Sequence, residues 1–560
     1  MIFKLLTLKR TRVILRHSNT LAYNHKKPVF LNVLFMVVFV LCTTQYTQAQ
    51  DKDLSWDELA NQYECPEWFR DAKFGIWFHW GPQSAPEQGG GWYARHMYMK
   101  DVGRQKFGKM ANPYHLQTYG HPSEFGFKDV INTWKAEKFD AEYLINFSKE
   151  NGAKYIVALA NHHDHFDLFD SSYHPWNSVN VGPKKDIIGA FEKATRNAGL
   201  KFGVTSHDDR FLNWWQPAFG ADKTGEYAGV PYDGRLTKAD GKGKWWEGLD
   251  PKDLYGPAPE DRTPEIIEDI KKNWLKRHIE LVTNYKPDLL YNDGFNFTYG
   301  DYGKEVTRKL YNNSLKENGE IDAVMLLKRQ AKGTVNEVES GGSNTLRAYP
   351  WQSEITFTDW FYKKDRHLTH NARTILEMLI EAVSKNGNLL LSMELKPDGT
   401  IPDEIKKSVK IVGDWLKING EAIYGTRPWT VYGDGRSVRG EAVETVDGEL
   451  RNATESQKHG EHFNQRTTAT PAFAHDEVRY TTKGDDFYIT VMNPKEGEFV
   501  IPSFGKSSKN NPGDLKDLIQ LYDDRKVSFK QTNKGLTINM PVVNGDSYPV
   551  VLKAKFKKKH

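Results

Sequence analysis

The sequence predicts an α/β fold, a (β/α)8-like TIM barrel followed by a C-terminal antiparallel β-sandwich. Three observations lead there. From about Trp68 to Trp415, short apolar runs alternate with amphipathic stretches of helix length. The first apolar run is not followed by the glycine-rich GxGxxG turn of an open doubly wound sheet, which is the alternative architecture. After Pro428, short β-rich runs are divided by Gly, Asn and Asp turns.

The elements follow in order. KFGIWFHW (Lys73–Trp80) reads as the first strand. Ala141–Asn151 reads as a helix, Tyr155–Ala160 as a strand, Ile187–Ala198 as a helix and Lys201–Val204 as a strand. A long insertion, from about His207 to Pro264, is rich in Gly, aromatics and charge, and its aromatic content favours an ordered loop over the barrel. Glu265–Asn284 then has helical spacing, Asp288–Tyr291 is a short strand, and Ala323–Leu327 and Thr334–Val338 are further strand candidates. Ala372–Ser384 (helix), Asn388–Met393 (strand) and Glu404–Ile418 (helix) complete the alternation. FYITVM (Phe487–Met492), VSFKQ (Val527–Gln531) and YPVVLKAKF (Tyr548–Phe556) are strands of the sandwich. The expected organisation is a signal peptide over 1–49, a catalytic barrel over 50–425 and a sandwich over 426–560.

Composition narrows the class. Of 560 residues, 38% are hydrophobic and 27% charged, as in a folded globular chain. The formal charge of +4 is unevenly placed, with basic residues crowding the first 27 positions and the tail KAKFKKKH, so no nucleic-acid-binding face is expected. A basic stretch, the apolar run Val29–Cys42 and the TQA ending at Ala49 read as a cleaved export signal, giving a secreted or periplasmic protein. Lipidation at Cys42 is the rival reading, disfavoured by the bulky Leu41 before it. The apolar run is short for a membrane span. Without Cys42 the chain keeps Cys65 alone, which rules out an intrachain disulfide and a cysteine-based zinc site. The sequence leaves the oligomeric state open.

In such a barrel, residues just past the C-terminal strand ends line the site. Five segments deliver ionisable groups there: His79-Trp80-Gly81, Asn161-His162-His163-Asp164, Ser206-His207-Asp208-Asp209, Asn292-Asp293-Gly294, and Glu337 with Glu339. Each has a bland reading alone, as core histidine, turn aspartate or solvated edge. Their common placement argues against five coincidences. Adjacent residues on a strand point to opposite faces, so His162 and His163 are poorly arranged to chelate one ion. HExxH and EF-hand spacings are absent as well, so no catalytic metal is expected. Two carboxylates in a tryptophan-rich mouth suggest glycoside hydrolysis, one attacking the anomeric carbon or activating water, the other protonating the leaving oxygen.

The motifs WFRDAKFGIWFHWG (Trp68–Gly81), GWYARHMY (Gly91–Tyr98), HHDHFDLFDSSYHPWNSVNVGPKKDIIG (His162–Gly189), LLYNDG (Leu289–Gly294), SKNGNLLL (Ser384–Leu391) and WLKINGEAIYGTRPW (Trp415–Trp429) together resemble the α-L-fucosidases of glycoside hydrolase family 29. The resemblance runs in order from about Trp56 to Trp429. It implies hydrolysis of terminal α-L-fucosyl residues from a glycan, a retaining mechanism and no cofactor. By position it implies Asp293 as nucleophile and His79, His162 and His163 as partners of sugar hydroxyls. It also implies Trp92 and Trp360 as aromatic walls. The family's Trp-Glu pair reads Trp351-Gln352 here, and an amide cannot protonate a leaving group. EVESG (Glu337–Gly341) resembles the stretch that carries the acid/base in one subgroup, which selects Glu339, with Glu354 and then Glu337 in reserve.

Two departures bear on the substrate. Gly91 stands where the family often has a glutamate, and Thr205-Ser206-His207 stands where many members have tyrosine, so His207 is expected to take a sugar contact. An α-L-galactosidase and an enzyme for sulfated fucose are therefore variants of the same reading. Lys328, Arg329 or the loop lysines Lys238, Lys242 and Lys244 would meet the sulfate. A carbohydrate-binding protein without turnover and a metal-dependent hydrolase on the same barrel are the rival classes.

Overall fold

The computed structural model describes residues 53–100, 111–343, 345–439, 442–444, 450–452, 473–541 and 548–557. The expected signal peptide, with Cys42, lies outside them. Leu54–His560 form one compact unit. No helix among the described residues is long and apolar enough to cross a membrane.

Eight parallel strands close into a barrel in sequence order. They are β1 (Phe74–Phe78), β2 (Tyr155–Asn161), β3 (Lys201–Ser206), β4 (Leu289–Asn292), β5 (Val324–Leu327), β6 (Val335–Glu339), β7 (Trp351–Thr356) and β8 (Gly387–Ser392). The apolar runs become strands because both faces are covered. Val157, Leu289, Tyr291, Val324, Leu326 and Leu390 point inward to one cluster. Their neighbours Ile156, Ala158, Leu290, Met325, Leu389 and Leu391 point outward to the helices. Large rings lie over glycines, inside the barrel at Gly75 and on its outer face at Gly387. A Cβ on Gly75 would fall 2.4 Å from the Tyr155 ring, and one on Gly387 2.5 Å from the Trp351 ring. The register pairs the same residues, Gly75 with Tyr155 and Trp351 with Gly387.

Amphipathic helices sheathe the barrel: α1 (Ala141–Glu150), α2 (Ile187–Asn197), α3 (Pro264–Asn284), α4 (Asp301–Asn318), α5 (Ala372–Ser384) and α6 (Asp403–Asn419). Asp140, Asp186, Thr263 and Asn371 cap α1, α2, α3 and α5 through their side chains. The regular alternation fails on one side. Among the described residues no helix follows β5 or β6, and only residues 328–334 and 340–350 join them to the next strand. The outer face of β6 is half-exposed as a result, at Asn336 and Val338.

The long insertion between β3 and α3 is ordered, as its composition suggested. It folds into short helical turns that bury Trp214, Trp215, Phe219, Tyr232, Trp246 and Tyr255. The C-terminal region forms a five-stranded and a three-stranded antiparallel sheet. Val478, Tyr480, Phe487 and Ile489 of the first share one core with Phe499, Ile501, Leu536 and Ile538 of the second. That is the expected sandwich.

Candidate active site

The C-terminal ends of the strands meet in a cavity of about 190 Å³. That is smaller than the roughly 300–1,000 Å³ of drug-sized sites and on the scale of one sugar ring. His79 comes from the end of β1, His162 and His163 from β2, His207 from β3, Asp293 from β4, Glu339 from β6 and Glu354 from β7. Trp77, Trp92, Arg210 and Trp360 complete the walls. Glu337 is not among the lining residues. It is buried deeper in the barrel, where Gln352 Nε2 donates to its carboxyl at 2.7 Å.

Strand alternation would let only one of His162 and His163 face inward, yet both line the cavity. The pairing register of β2 with β3 shifts between Leu159 and Asn161, and β2 ends at Asn161, so the backbone turns at the histidine pair. The carboxylates that follow are structural. The Arg277 guanidinium of α3, fully buried, donates to Asp167 at 2.9 Å and to Asp208 at 2.9 Å, fastening the β2 loop to the β3 loop.

The imidazoles are held neutral. Burial drives His79 and His162 well below the usual histidine range and His163 down to about 3, and neighbouring histidines add to the shift in His79 and His162. Their tautomers follow from the nitrogen facing away from the cavity. Gln83 Nε2 donates to His162 Nδ1 at 2.9 Å, so His162 Nε2 carries the proton. His163 Nδ1 faces the carbonyl of His207, which can only accept, so its Nε2 is bare. His207 Nδ1 lies 3.3 Å from Asp293 Oδ2, and its Nε2 has no protein partner. The wall thus offers His162 Nε2 as a donor and His163 Nε2 as an acceptor, a pattern that sugar hydroxyls can answer.

The carboxyl groups are organised by one lysine. Lys328, the first residue beyond β5, is 4% exposed, and its Nζ contacts both Asp293 Oδ1 and Glu339 Oε2, the latter at 2.6 Å. Two such contacts limit the separation of the two oxygens to roughly 6 Å. Tyr291 hydroxyl reaches Asp293 Oδ1 at 3.3 Å and Glu354 Oε1 at 3.2 Å. Burial alone would raise Asp293, but Lys328 and then His207 outweigh it and hold the carboxyl well below its ordinary range. Glu339 goes the other way: burial raises it, Lys328 opposes, Asp293 adds to the rise, and the net is upward. Glu354 is raised well above the usual range by burial and then by Glu337 and Glu339. One ionised carboxylate beside carboxyls that keep their protons is the electrostatic separation that acid and nucleophile require.

Strand-end logic applied to β5 would have found Lys328 as a member of this group, where it engages both Asp293 and Glu339. Arg329 and the lysines Lys238, Lys242 and Lys244 are exposed and do not line the cavity. Trp77 and Tyr291 were missed although they lie two residues before His79 and Asp293, on the same strand faces. A Cβ on Gly91 would come within 3.2 Å of the Phe361 ring, which would have to shift by a few tenths of an ångström to admit it. The ring nitrogens nearest to a metal-ligand set belong to His79, His162 and His207, within 4.8 Å of one another. A larger cavity of about 370 Å³ lies at the opposite end of the barrel. Its charges are already paired, with Lys201 held by Asp288 at 3.0 Å and Asp322 at 2.5 Å.

Comparisons with known proteins bear on the family. A Dictyostelium discoideum α-L-fucosidase is 27% identical over 536 residues, covering 92% of this chain and 97% of its own. Human plasma α-L-fucosidase is 28% identical over 396 residues, 68% of this chain and 74% of its own. The crystal structure of Thermotoga maritima α-fucosidase in complex with fucose superimposes with a TM-score of 0.61 at 26% identity, covering 89% of this chain and 99% of that one. The family model for alpha-L-fucosidase matches residues 39–421, and the chain belongs to that family of glycoside hydrolases.

Proposed function

We propose that the protein hydrolyses terminal α-L-fucosyl residues by double displacement with net retention. Asp293 attacks C1 while Glu339 protonates the leaving oxygen; water, deprotonated by Glu339, then releases the sugar. The ammonium of Lys328, shared between the two carboxyls, is the observation that carries this reading. The limit of roughly 6 Å that it sets suits the roughly 5–5.5 Å of retaining enzymes better than the roughly 6.5–9.5 Å of inverting ones. The opposite shifts of Asp293 and Glu339 support the same division of roles. Glu354 is the alternative acid, with one carboxyl oxygen unpartnered in the cavity wall. His79, His162, His163 and His207 serve the hydroxyls, and Trp92 and Trp360 the apolar side of the sugar. The basic and apolar N-terminal segment supports export.

Hydrolysis of aryl α-L-fucoside and α-L-galactoside by the wild type, Asp293→Gly, Glu339→Ala and Glu354→Ala tests the assignment. Asp293→Gly should lose about 10³–10⁵-fold in kcat, with azide restoring turnover as a β-fucosyl azide. Glu339→Ala should regain activity with azide on activated aryl fucosides and yield the opposite anomer. Undiminished turnover in Glu339→Ala would transfer the role to Glu354, and inverted product from the wild type would end the double-displacement account.

A further inference from the structure

We infer that Lys328 is a positioning residue that converts Glu339 from acid to base, because its buried ammonium is shared by two carboxyls in the free enzyme and is left to Glu339 alone once Asp293 carries the sugar. This rests on the double-displacement reading and adds a residue that the reading does not require.

Three observations carry it. The backbone of Lys328 is fixed between the two partners: its N–H donates to the carbonyl of Gly294 at 3.2 Å, and its own carbonyl accepts from Asn336 Nδ2 at 2.9 Å. Gly294 follows Asp293, and Asn336 lies on the strand that carries Glu339. The Lys328 side chain is 4% exposed, so water screens its charge little. Third, its contacts are with the two carboxyls that change state in the reaction.

The charges then balance at each stage. In the free enzyme Asp293 is a carboxylate, Glu339 holds a proton and Lys328 is positive, giving no net charge. In the first step Asp293 Oδ bonds to C1, the bond from C1 to the leaving oxygen breaks, and the Glu339 proton passes to that oxygen. Asp293 is now a neutral ester, Glu339 a carboxylate, and Lys328 still positive. In the second step water oxygen bonds to C1, its proton returns to Glu339, and the C1–Oδ bond breaks to restore the Asp293 carboxylate. The lysine exchanges one counterion for the other and back, and the pocket avoids a buried, uncompensated charge throughout. Without it, burial would favour the protonated form of Glu339 in the glycosyl-enzyme, where a base is needed.

Other charged groups leave this role to Lys328. Glu354 and Glu337 face the same ammonium, but burial keeps both carboxyls protonated well above the usual range. Arg210 lies 3.8 Å from Asp293 Oδ2 and is 37% exposed, so its charge is partly screened. His163 and His207 contact Asp293, and neither makes an ion pair with Glu339.

The test separates the two steps. With an aryl fucoside bearing a good leaving group, Lys328→Met should release one equivalent of aryl alcohol in a burst. A steady rate about 10²–10³-fold below wild type should follow. Raising the pH should speed that slow phase, azide should relieve it, and Lys328→Arg should retain most of the wild-type rate. Equal loss in both steps with an unmoved pH profile, or near-wild-type turnover in Lys328→Met, would overturn the inference. If Lys328→Met fails to fold, the wild type decides. Reactivation of its 2-deoxy-2-fluorofucosyl form should depend on a base titrating below the acid limb of kcat/KM, and coincident limbs would overturn the inference. Asp293→Gly and Glu339→Ala run alongside: wild-type turnover in Asp293→Gly would end the double-displacement reading, wild-type turnover in Glu339→Ala would move the acid role to Glu354, and either result would end this inference.

Discussion

Asp164, next to the histidine pair, is buried with Oδ1 accepting from the Phe166 N–H at 3.2 Å and Oδ2 unpartnered. Burial raises its carboxyl from 3.8 to about 7, against the lowering effect of its hydrogen bonds, with Asp208 adding to the rise. The folded chain therefore keeps this proton over a range where the unfolded chain releases it. Stability is full below the unfolded value and falls as pH rises through the window up to about 7. Asp164→Asn keeps an acceptor at Oδ1 and cannot ionise. It should stabilise the protein at pH 8 by an amount on the order of 1–4 kcal/mol and change little at pH 4. Thermal melts at the two pH values check this, and equal shifts at both would contradict it. At this scale the sequence was most legible where a residue type announces chemistry: Asp293, Glu339 and the histidines stood out at strand ends. Tyr291 did not, because a tyrosine within an apolar run is ordinary core. Only its distances to Asp293 and Glu354 separate it from packing.

Among the elements, α3 does more than cover the barrel. Its Arg277 is the cation for Asp167 beyond β2 and Asp208 beyond β3, all three buried. Arg277→Met would leave Asp167 only the Asn161 amide at 3.0 Å and Asp208 only the His165 imidazole at 2.6 Å, with no guanidinium for either buried carboxylate, a change worth about 3–5 kcal/mol. The melting temperature should fall by several degrees, and KM should rise more than kcat falls, since the same loops carry His162, His163 and His207. An unchanged melt would show that the carboxylates find other partners. Strands with two apolar faces were legible as runs, and their bounds shifted by a residue or two. β7 was not, because Gln352 and Glu354 place polar groups where a run detector expects apolar ones. Helix α4 escaped for a related reason: most of its surface is charged or polar, and its buried stripe includes Thr307, Asn312 and Ser314. The missing helices after β5 and β6 leave no mark in the sequence beyond short spacing between strand candidates.

The whole molecule is held by contacts between the barrel sheath and the sandwich. Arg479, 2% exposed, pairs with Glu381 of α5 and with Glu477 at 3.1 Å. Trp415 of α6 donates to the carbonyl of Pro549 at 2.7 Å, and Thr481 hydroxyl to that of Ala422 at 2.8 Å. These bonds predict one cooperative unfolding transition for Leu54–His560. Arg479→Ala should lower its midpoint or split it in two, at a cost of about 3–5 kcal/mol, as calorimetry would record. A midpoint and shape matching wild type would place the coupling elsewhere. The bare flank of the barrel has a consequence for ancestry. Where a strand is followed by a helix, an insertion must re-seat that helix against the wall. Beyond β5 and β6 there is no helix to re-seat, so the segments 328–334 and 340–350 can lengthen, shorten or change partners at small cost in stability. Those segments begin at Lys328 and just past Glu339. Drift in substrate preference among descendants of this chain should therefore accumulate first along that one side of the mouth.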